Sequence, residues 1–270
     1  MIILLMDNLQ LKSTFNTTVE RYHARRPHYP AELFDKLVRD THLPKQAELL
    51  EIGPGTGQAT LPLADRGYNI TAVELGDELA AKAREVFSKH PNVRIITGAF
   101  EDVDLPSQHY DLVYSATAIH WVKPEFKFAK PHRLLKPGGY LAIIHTEHVS
   151  DEAGDNFFFA SQPIYQKYHA KDKPINKQGN FTLPKLKDLQ PPEKIGETLF
   201  SLKSFTVFPM TLSYSTQEYA DLLATYSSHL ILPEDKQAAF LREIQELIDK
   251  DFGGRISKHY GMTLTIARKV

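Results

Sequence analysis

Apolar and polar positions follow two rhythms through the first half of the chain. Short apolar, β-branched runs at 48–52, 70–75, 93–97, 111–115 and 140–145 read as strands. The segments between them at 58–65, 78–88 and 126–135 carry apolar residues at helical spacing. Strands and helices in this order form βαβ units, because each crossover helix returns the chain to a parallel neighbour and covers one sheet face. Leu135-Lys136-Pro137-Gly138-Gly139 ends the third helix, since proline cannot continue it and glycine supplies a left-handed turn. From about 147 to 199 the texture changes. Phe157-Phe158-Phe159, Tyr165 and Tyr168 stand among scattered lysines and prolines, including Pro191-Pro192, and read as an inserted, partly helical cap. The rhythm then resumes with a strand at 205–214, helices near 217–225 and 234–250, a break at Gly253-Gly254 and a last strand at 262–267. The expected fold is an α/β, mostly parallel seven-stranded sheet with helices on both faces.

Composition narrows the chemistry. A chain of 270 residues, 42% hydrophobic and 24% charged, is long enough to bury one large core. Lys and Arg number 32 against 33 Asp and Glu, a net charge of -1 that gives no field to draw the chain onto nucleic acid or an anionic membrane. The absence of cysteine excludes a disulfide scaffold, a thiolate metal site and a thiol nucleophile. The apolar opening at 1–6 lacks a basic leader and is too short to span a bilayer, so a cytoplasmic enzyme of small molecules, monomer or homodimer, is expected.

The most informative local feature is Leu49-Leu50-Glu51-Ile52-Gly53-Pro54-Gly55-Thr56-Gly57. A parallel strand that ends in closely spaced glycines and opens a helix presents backbone N–H groups to a ligand, which the missing side chains let approach. The dinucleotide fingerprint wants its third glycine where Gln58 stands, so the spacing departs from a nicotinamide site. Glu74, at the end of the second strand, can accept hydrogen bonds from unphosphorylated ribose hydroxyls. A tight strand-to-helix corner with no ligand is the alternative for the glycines alone.

Glu51-Ile52-Gly53-Pro54-Gly55-Thr56-Gly57 resembles the first motif of the class I S-adenosylmethionine-dependent methyltransferases, acid-x-Gly-x-Gly-x-Gly. Thr97-Gly98-Ala99-Phe100-Glu101-Asp102, Tyr110-Asp111-Leu112-Val113-Tyr114-Ser115-Ala116 and Leu135-Lys136-Pro137-Gly138-Gly139-Tyr140-Leu141 resemble later motifs in the same order, covering about 20–147. The resemblance implies a Rossmann-like sheet with an antiparallel last strand, and S-adenosylmethionine as cofactor. It also implies one domain over 1–270, with core at about 31–148 and 200–270, cap at 149–199 and an N-terminal lid at about 8–30. The same resemblance implies that Glu51 and the turn from Gly53 through Pro54, Gly55, Thr56 and Gly57 to Gln58 hold the methionine end. Glu74 would hold the ribose, and Leu75 would pack on the adenine. Many relatives place Asp after the glycine of the third motif; Ala99 stands here, so the adenine-amine contact passes to Glu101, with Ala99 and Phe100 in the same cofactor-binding turn. Ser115 and Ala116 complete the cofactor set.

On the acceptor side, Ala116-Thr117-Ala118-Ile119-His120-Trp121 follows the fourth strand, where an α/β sheet offers residues to a ligand. His120 and Trp121, the only tryptophan, resemble the pair in the subgroup that includes trans-aconitate methyltransferase, whose acceptors include carboxylates. A buried imidazole and simple core packing are the alternatives for the two residues. Tyr22-His23-Ala24-Arg25-Arg26-Pro27-His28-Tyr29-Pro30 resembles the segment that folds over the cofactor in these relatives, with Tyr22 and Arg26 closing the pocket; a solvated basic turn is the alternative. His145-Thr146-Glu147-His148 does not share one face of a strand and makes a poor metal site. Thr225-Tyr226-Ser227-Ser228-His229 is expected to cap or pack. Lys167, Lys171, Lys173 and Lys177 lack a stacking platform for RNA. The competing functions are an NAD(P)-dependent oxidoreductase on a related sheet and a non-catalytic S-adenosylmethionine-binding protein.

Overall fold

The computed structural model describes residues 19–150, 156–169, 183–192, 195 and 198–270. The readings of 1–6, of the first part of the N-terminal lid at 8–18 and of Lys171, Lys173 and Lys177 fall outside these residues. The elements in order are α1 (Val19–Arg25), α2 (Ala31–Thr41), β1 (Glu48–Ile52), α3 (Leu61–Ala64), β2 (Asn69–Glu74), α4 (Asp77–Val86), β3 (Val93–Thr97), β4 (Tyr110–Ala116), α5 (Pro124–Lys127), α6 (Ala129–Leu134) and β5 (Leu135–His148). They continue with α7 (Asn156–His169), β6 (Phe200–Ser215), α8 (Thr216–Leu223), α9 (Ser227–Leu230), α10 (Glu234–Phe252) and β7 (Arg255–Lys269).

The seven strands lie in the order β3-β2-β1-β4-β5-β7-β6, with β7 antiparallel. β1 pairs in parallel with β2 on one side and β4 on the other, and β4 pairs in parallel with β5. Strand order therefore reverses between β1 and β4. Chains leave these two strands in opposite directions, opening a crevice at their C-terminal ends.

Contacts divide the chain into two compact units. One gathers the described residues of Pro27–Glu147, Gln190–Phe208 and Met262–Val270. Its core is built from the inward faces of the central strands, with Leu50, Ile52, Val113, Leu141 and Ile143 packed on Tyr110 and Leu134. Helix α2 joins this unit with Leu33, Phe34, Leu37 and Thr41 buried, one apolar stripe at helical spacing. The other unit gathers the described residues of Met1–Arg26, His148–Leu189 and Pro209–Gly261. Its core is aromatic, with Phe157, Tyr214, Tyr219, Phe240 and Tyr260 around Leu222, Ile244 and Ile248.

Several boundaries differ from the sequence reading, each for a local reason. The helix expected at 58–65 is only Leu61–Ala64, because the hydrogen-bonded turns that follow Gly57 run on to Thr60 before regular helix begins. The helix expected at 126–135 is two pieces broken at Phe128, since Pro131 has no N–H to bond Lys127 four residues back. Leu135–Gly139 does not precede the fifth strand but begins it. Tyr110 opposes Leu135 while Leu112 opposes Tyr140, so Lys136–Gly139 bulge out of the ladder. The bulge is pinned by Lys136 Nζ on Asp111, at 2.8 and 2.9 Å, and by Arg268 Nε donating to Gly138 O at 3.1 Å. The last two strands run well past 205–214 and 262–267, to Phe200–Ser215 and Arg255–Lys269.

Candidate active site

The glycine turn leaves β1 with Gly53 N donating to Val73 O at 2.9 Å and closes with Gly57 N on Pro54 O at 3.0 Å. Gly53, Gly55 and Gly57 have φ of 68°, 60° and 101°, a run of left-handed conformations that only glycine adopts without strain. Two of them also make room for the protein itself. A Cβ on Gly53 would lie 2.5 Å from Ala118 Cβ, and one on Gly57 would lie 2.3 Å from the Phe87 ring.

Glu74 is buried across from this turn. Its Oε2 accepts from Gly55 N and its Oε1 from Gly76 N, both at 2.9 Å. Burial pushes the carboxyl above its ordinary value, while N–H groups of Gly76, Gly55 and Leu75 draw it back. A hydrogen-bond acceptor is thus assembled beside the loop that the glycines shape. Leu75 is half-buried next to it.

Glu51 points the other way. It is fully buried, and its Oε2 accepts from Thr60 Oγ1 at 2.6 Å and from Tyr114 OH at 2.7 Å, so it ties β1, β4 and the start of α3 together behind the turn. Its Oε1 is buried with no hydrogen-bond partner. Burial, offset by those two bonds and reinforced by Glu74, pushes the carboxyl from an ordinary 4.5 up to about 7. A carboxyl raised in this way keeps its proton in the folded state after the unfolded chain has lost it. Its contribution to stability is therefore full below pH 4.5 and is lost as pH rises to about 7. The shift corresponds to about 3 kcal/mol. Glu51→Gln should flatten this part of the stability profile and leave the variant more stable than wild type above pH 7, as checked by urea unfolding between pH 5 and 8. Parallel profiles for the two proteins would contradict the assignment.

The remaining cofactor candidates stand in the glycine turn, at the end of β4 and in the turn after β3. Pro54 and Thr56 are buried in the turn, and Gln58 Nε2 donates to Thr56 Oγ1 at 2.9 Å. Ser115 Oγ donates to Ile52 O at 2.9 Å and locks the ends of β1 and β4 together, and Ala116 follows at the last position of β4. Ala99 is half-buried and Phe100 buried in the turn after β3. Glu101 is occupied within the protein, its Oε1 accepting from Lys123 N at 2.9 Å.

Sequence reasoning missed the group that holds the 99–103 turn. Lys130 is buried, and its Nζ donates to Glu101 O at 3.0 Å and Val103 O at 2.7 Å while lying 5.1 Å from the Phe100 ring centroid. Burial lowers its pKa. A lysine within a short apolar helical segment is the only sign of it in the sequence.

His120 is exposed and Trp121 half-buried, in a 3-10 turn directly after β4, with ring centroids 4.8 Å apart. The exposure removes the alternative of a core imidazole. In the other unit, the Arg26 guanidinium lies between the rings of Tyr22 and Tyr226, at 4.8 and 4.6 Å, and donates to Thr225 O at 2.8 Å. Thr225 and His229 are buried there, and His229 stacks on Phe240 at 4.7 Å, as expected of a packing segment. Among the described residues, no group of three or more His, Cys, Asp or Glu is placed to hold a metal ion, and no helix is long and apolar enough to cross a membrane.

Comparison with known proteins agrees with this geometry. Residues 50–143 match the family model Methyltransf_11, described as a methyltransferase domain. An uncharacterized methyltransferase-like protein of Schizosaccharomyces pombe is 28% identical over 242 residues, 89% of this chain and 88% of that one. The malonyl-[acyl-carrier protein] O-methyltransferase of a Marinomonas species is 31% identical over 138 residues, 50% of each chain. Among solved structures, a putative type II methyltransferase from Anaeromyxobacter dehalogenans shares the fold with a TM-score of 0.59 at 22% identity, covering 90% of this chain and 97% of that one. The sheet order, the glycine turn and the matched segment are those found in class I methyltransferases. The protein is an S-adenosylmethionine-dependent methyltransferase.

The residues present fit this donor. A sulfonium donor with a free ribose calls for a carboxylate beside an open backbone turn, and Glu74 stands against Gly55 in that arrangement. An oxidoreductase and a non-catalytic binder give way to a methyltransferase.

Proposed function

We propose that the enzyme methylates a small molecule on oxygen, a carboxylate or a hydroxyl, and that it is related in acceptor chemistry to the trans-aconitate methyltransferase subgroup. The observation that carries this reading is the exposed His120–Trp121 turn, set at the end of β4 and packed through Ala118 on Gly53. A relative named for O-methylation of a malonyl group supports oxygen as the receiving atom.

S-adenosylmethionine supplies an already activated methyl group, so the chain's own residues have to hold the donor, align the acceptor and exclude water. The glycine turn from Gly53 to Gln58 holds the methionine end, Glu74 the ribose, and Leu75, Phe100 and Glu101 border the adenine. Ser115 and Ala116 end the strand that leads to the acceptor face. His120 donates a hydrogen bond that orients the acceptor oxygen, and Trp121 covers it. A carboxylate is ionised at neutral pH and needs no general base, whereas a hydroxyl would draw on His120 to take its proton. Tyr22 and Arg26 belong to the segment read as a lid.

The test is incubation with S-adenosylmethionine and a panel of mono-, di- and tricarboxylates, phenols and amines, with products read by mass. Methyl esters or ethers are expected, and products methylated only on nitrogen would contradict the reading. His120→Ala is expected to lower kcat by about tenfold or more, the rate equivalent of one charge-assisted hydrogen bond, with donor affinity kept. Unchanged turnover would remove His120 from the acceptor face.

A further inference from the structure

The turn that carries His120 and Trp121 is held at both ends by groups distant in sequence. At its start, Thr117 has a φ of +56°. A β-branched residue in the left-handed region is a true outlier, and such a conformation persists only where its surroundings over-determine it. Two bonds do so here. Thr117 N donates to Ile144 O at 2.8 Å, and Thr117 Oγ1 shares a hydrogen bond with Tyr29 OH at 2.9 Å.

Tyr29 is itself fixed. Its ring stands edge-on to Phe34 at 6.3 Å, and Phe34 is a fully buried anchor of α2. One residue past Thr117, Ala118 fills the space that a side chain on Gly53 would need. Trp121 N then donates to Ala118 O at 2.9 Å, and at the far end Lys123 N donates to Glu101 Oε1 at 2.9 Å. The segment from Thr117 to Lys123 is therefore fastened to the entry of α2, to the glycine turn and to the turn after β3.

We propose that Tyr29 is a positioning residue for methyl transfer: its hydroxyl holds the left-handed kink at Thr117 and so seats the His120–Trp121 turn against Gly53 of the donor turn. The proposal rests on the reading of that turn as the acceptor face. The Tyr29–Thr117 bond, at residues apart from Gly55 and Glu74, sets where the acceptor side stands and leaves donor binding to the other groups. Loss of the Tyr29 oxygen lets Thr117 relax toward negative φ, which swings Ala118 and the rings after it away from the donor.

Trp121 is the only tryptophan, so its fluorescence reports this turn without any acceptor. The experiment compares wild type, Tyr29→Phe, Thr117→Val, the double variant and Thr117→Ser. Acrylamide quenching and anisotropy of Trp121 are measured with and without S-adenosylhomocysteine, whose affinity is measured by calorimetry. Tyr29→Phe and Thr117→Val should each increase quenching and lower anisotropy, and the double variant should match either single one, because both remove the same bond. Thr117→Ser, which keeps the hydroxyl, should behave as wild type, and S-adenosylhomocysteine affinity should be unchanged throughout. With an acceptor found by the panel, kcat should fall about fivefold in Tyr29→Phe at constant KM for S-adenosylmethionine, the equivalent of one neutral hydrogen bond. Unchanged Trp121 quenching in Tyr29→Phe overturns the positioning role and leaves the acceptor-face reading standing. Loosened Trp121 with unchanged kcat and KM overturns the proposal through the acceptor-face reading on which it rests.

Discussion

Gly53→Ala should lose both stability and donor affinity, with Kd for S-adenosylhomocysteine raised by about tenfold or more, a step of 1.4 kcal/mol. The matched control is Gly67→Ala. Both glycines have positive φ, 68° and 83°, so either substitution strains the backbone by about 1–2 kcal/mol. They differ in what surrounds them. A Cβ at Gly67 meets nothing within 4 Å, whereas at Gly53 it would fall 2.5 Å from Ala118 Cβ. Because Ala118 belongs to a turn tied down at Thr117, the Gly53 end of the donor turn has to give way. Thermal unfolding should show both variants destabilised, Gly53→Ala more so, and calorimetry should show the loss of donor affinity in Gly53→Ala alone. Equal behaviour of the two would mean that the Gly53–Ala118 contact does not shape the site.

The second large effect belongs to Glu74. Glu74→Ala is expected to weaken S-adenosylhomocysteine binding by between about tenfold and a hundredfold, the range for a lost hydrogen bond to a charged group. Stability should fall too, because Gly55 N and Gly76 N both donate to this carboxylate and would be left in a buried setting. Glu74→Gln separates the two effects. Its amide oxygen can still accept from one N–H, so stability should recover in part while ribose binding stays weak. Calorimetry and denaturant unfolding on the three proteins check this, and full affinity in Glu74→Ala would place the ribose elsewhere.

What could be read in the sequence was what is local in it. The glycine turn, Glu74 and the His120–Trp121 pair each declare themselves within a few residues of a strand end, and the strand-and-helix rhythm identified the sheet. The groups that seat them are distant in sequence. Tyr29 meets Thr117 across 88 residues and Lys130 meets Glu101 across 29, and no periodicity links such positions. Thr117 was hidden further by its own chemistry, since a β-branched residue argues against the left-handed turn it adopts. Glu51 misled in the opposite sense. It stands in the motif, but its bonds go to Thr60 and Tyr114 behind the turn. Strand lengths fell short where the ladder holds a bulge, as at Lys136–Gly139, and at the sheet edge, where exposed Leu202 and its polar neighbours in β6 break the apolar run.

S-adenosylmethionine is expected to lie on the turn from Gly53 to Gln58 with its ribose on Glu74. A crystal structure with S-adenosylhomocysteine tests it most directly. The predicted result places both ribose hydroxyls within about 3 Å of the Glu74 carboxylate and the methionine end against Gly53–Gly57. A nucleoside bound away from Glu74, or a turn from Gly53 to Gln58 that makes no contact with it, would contradict the account.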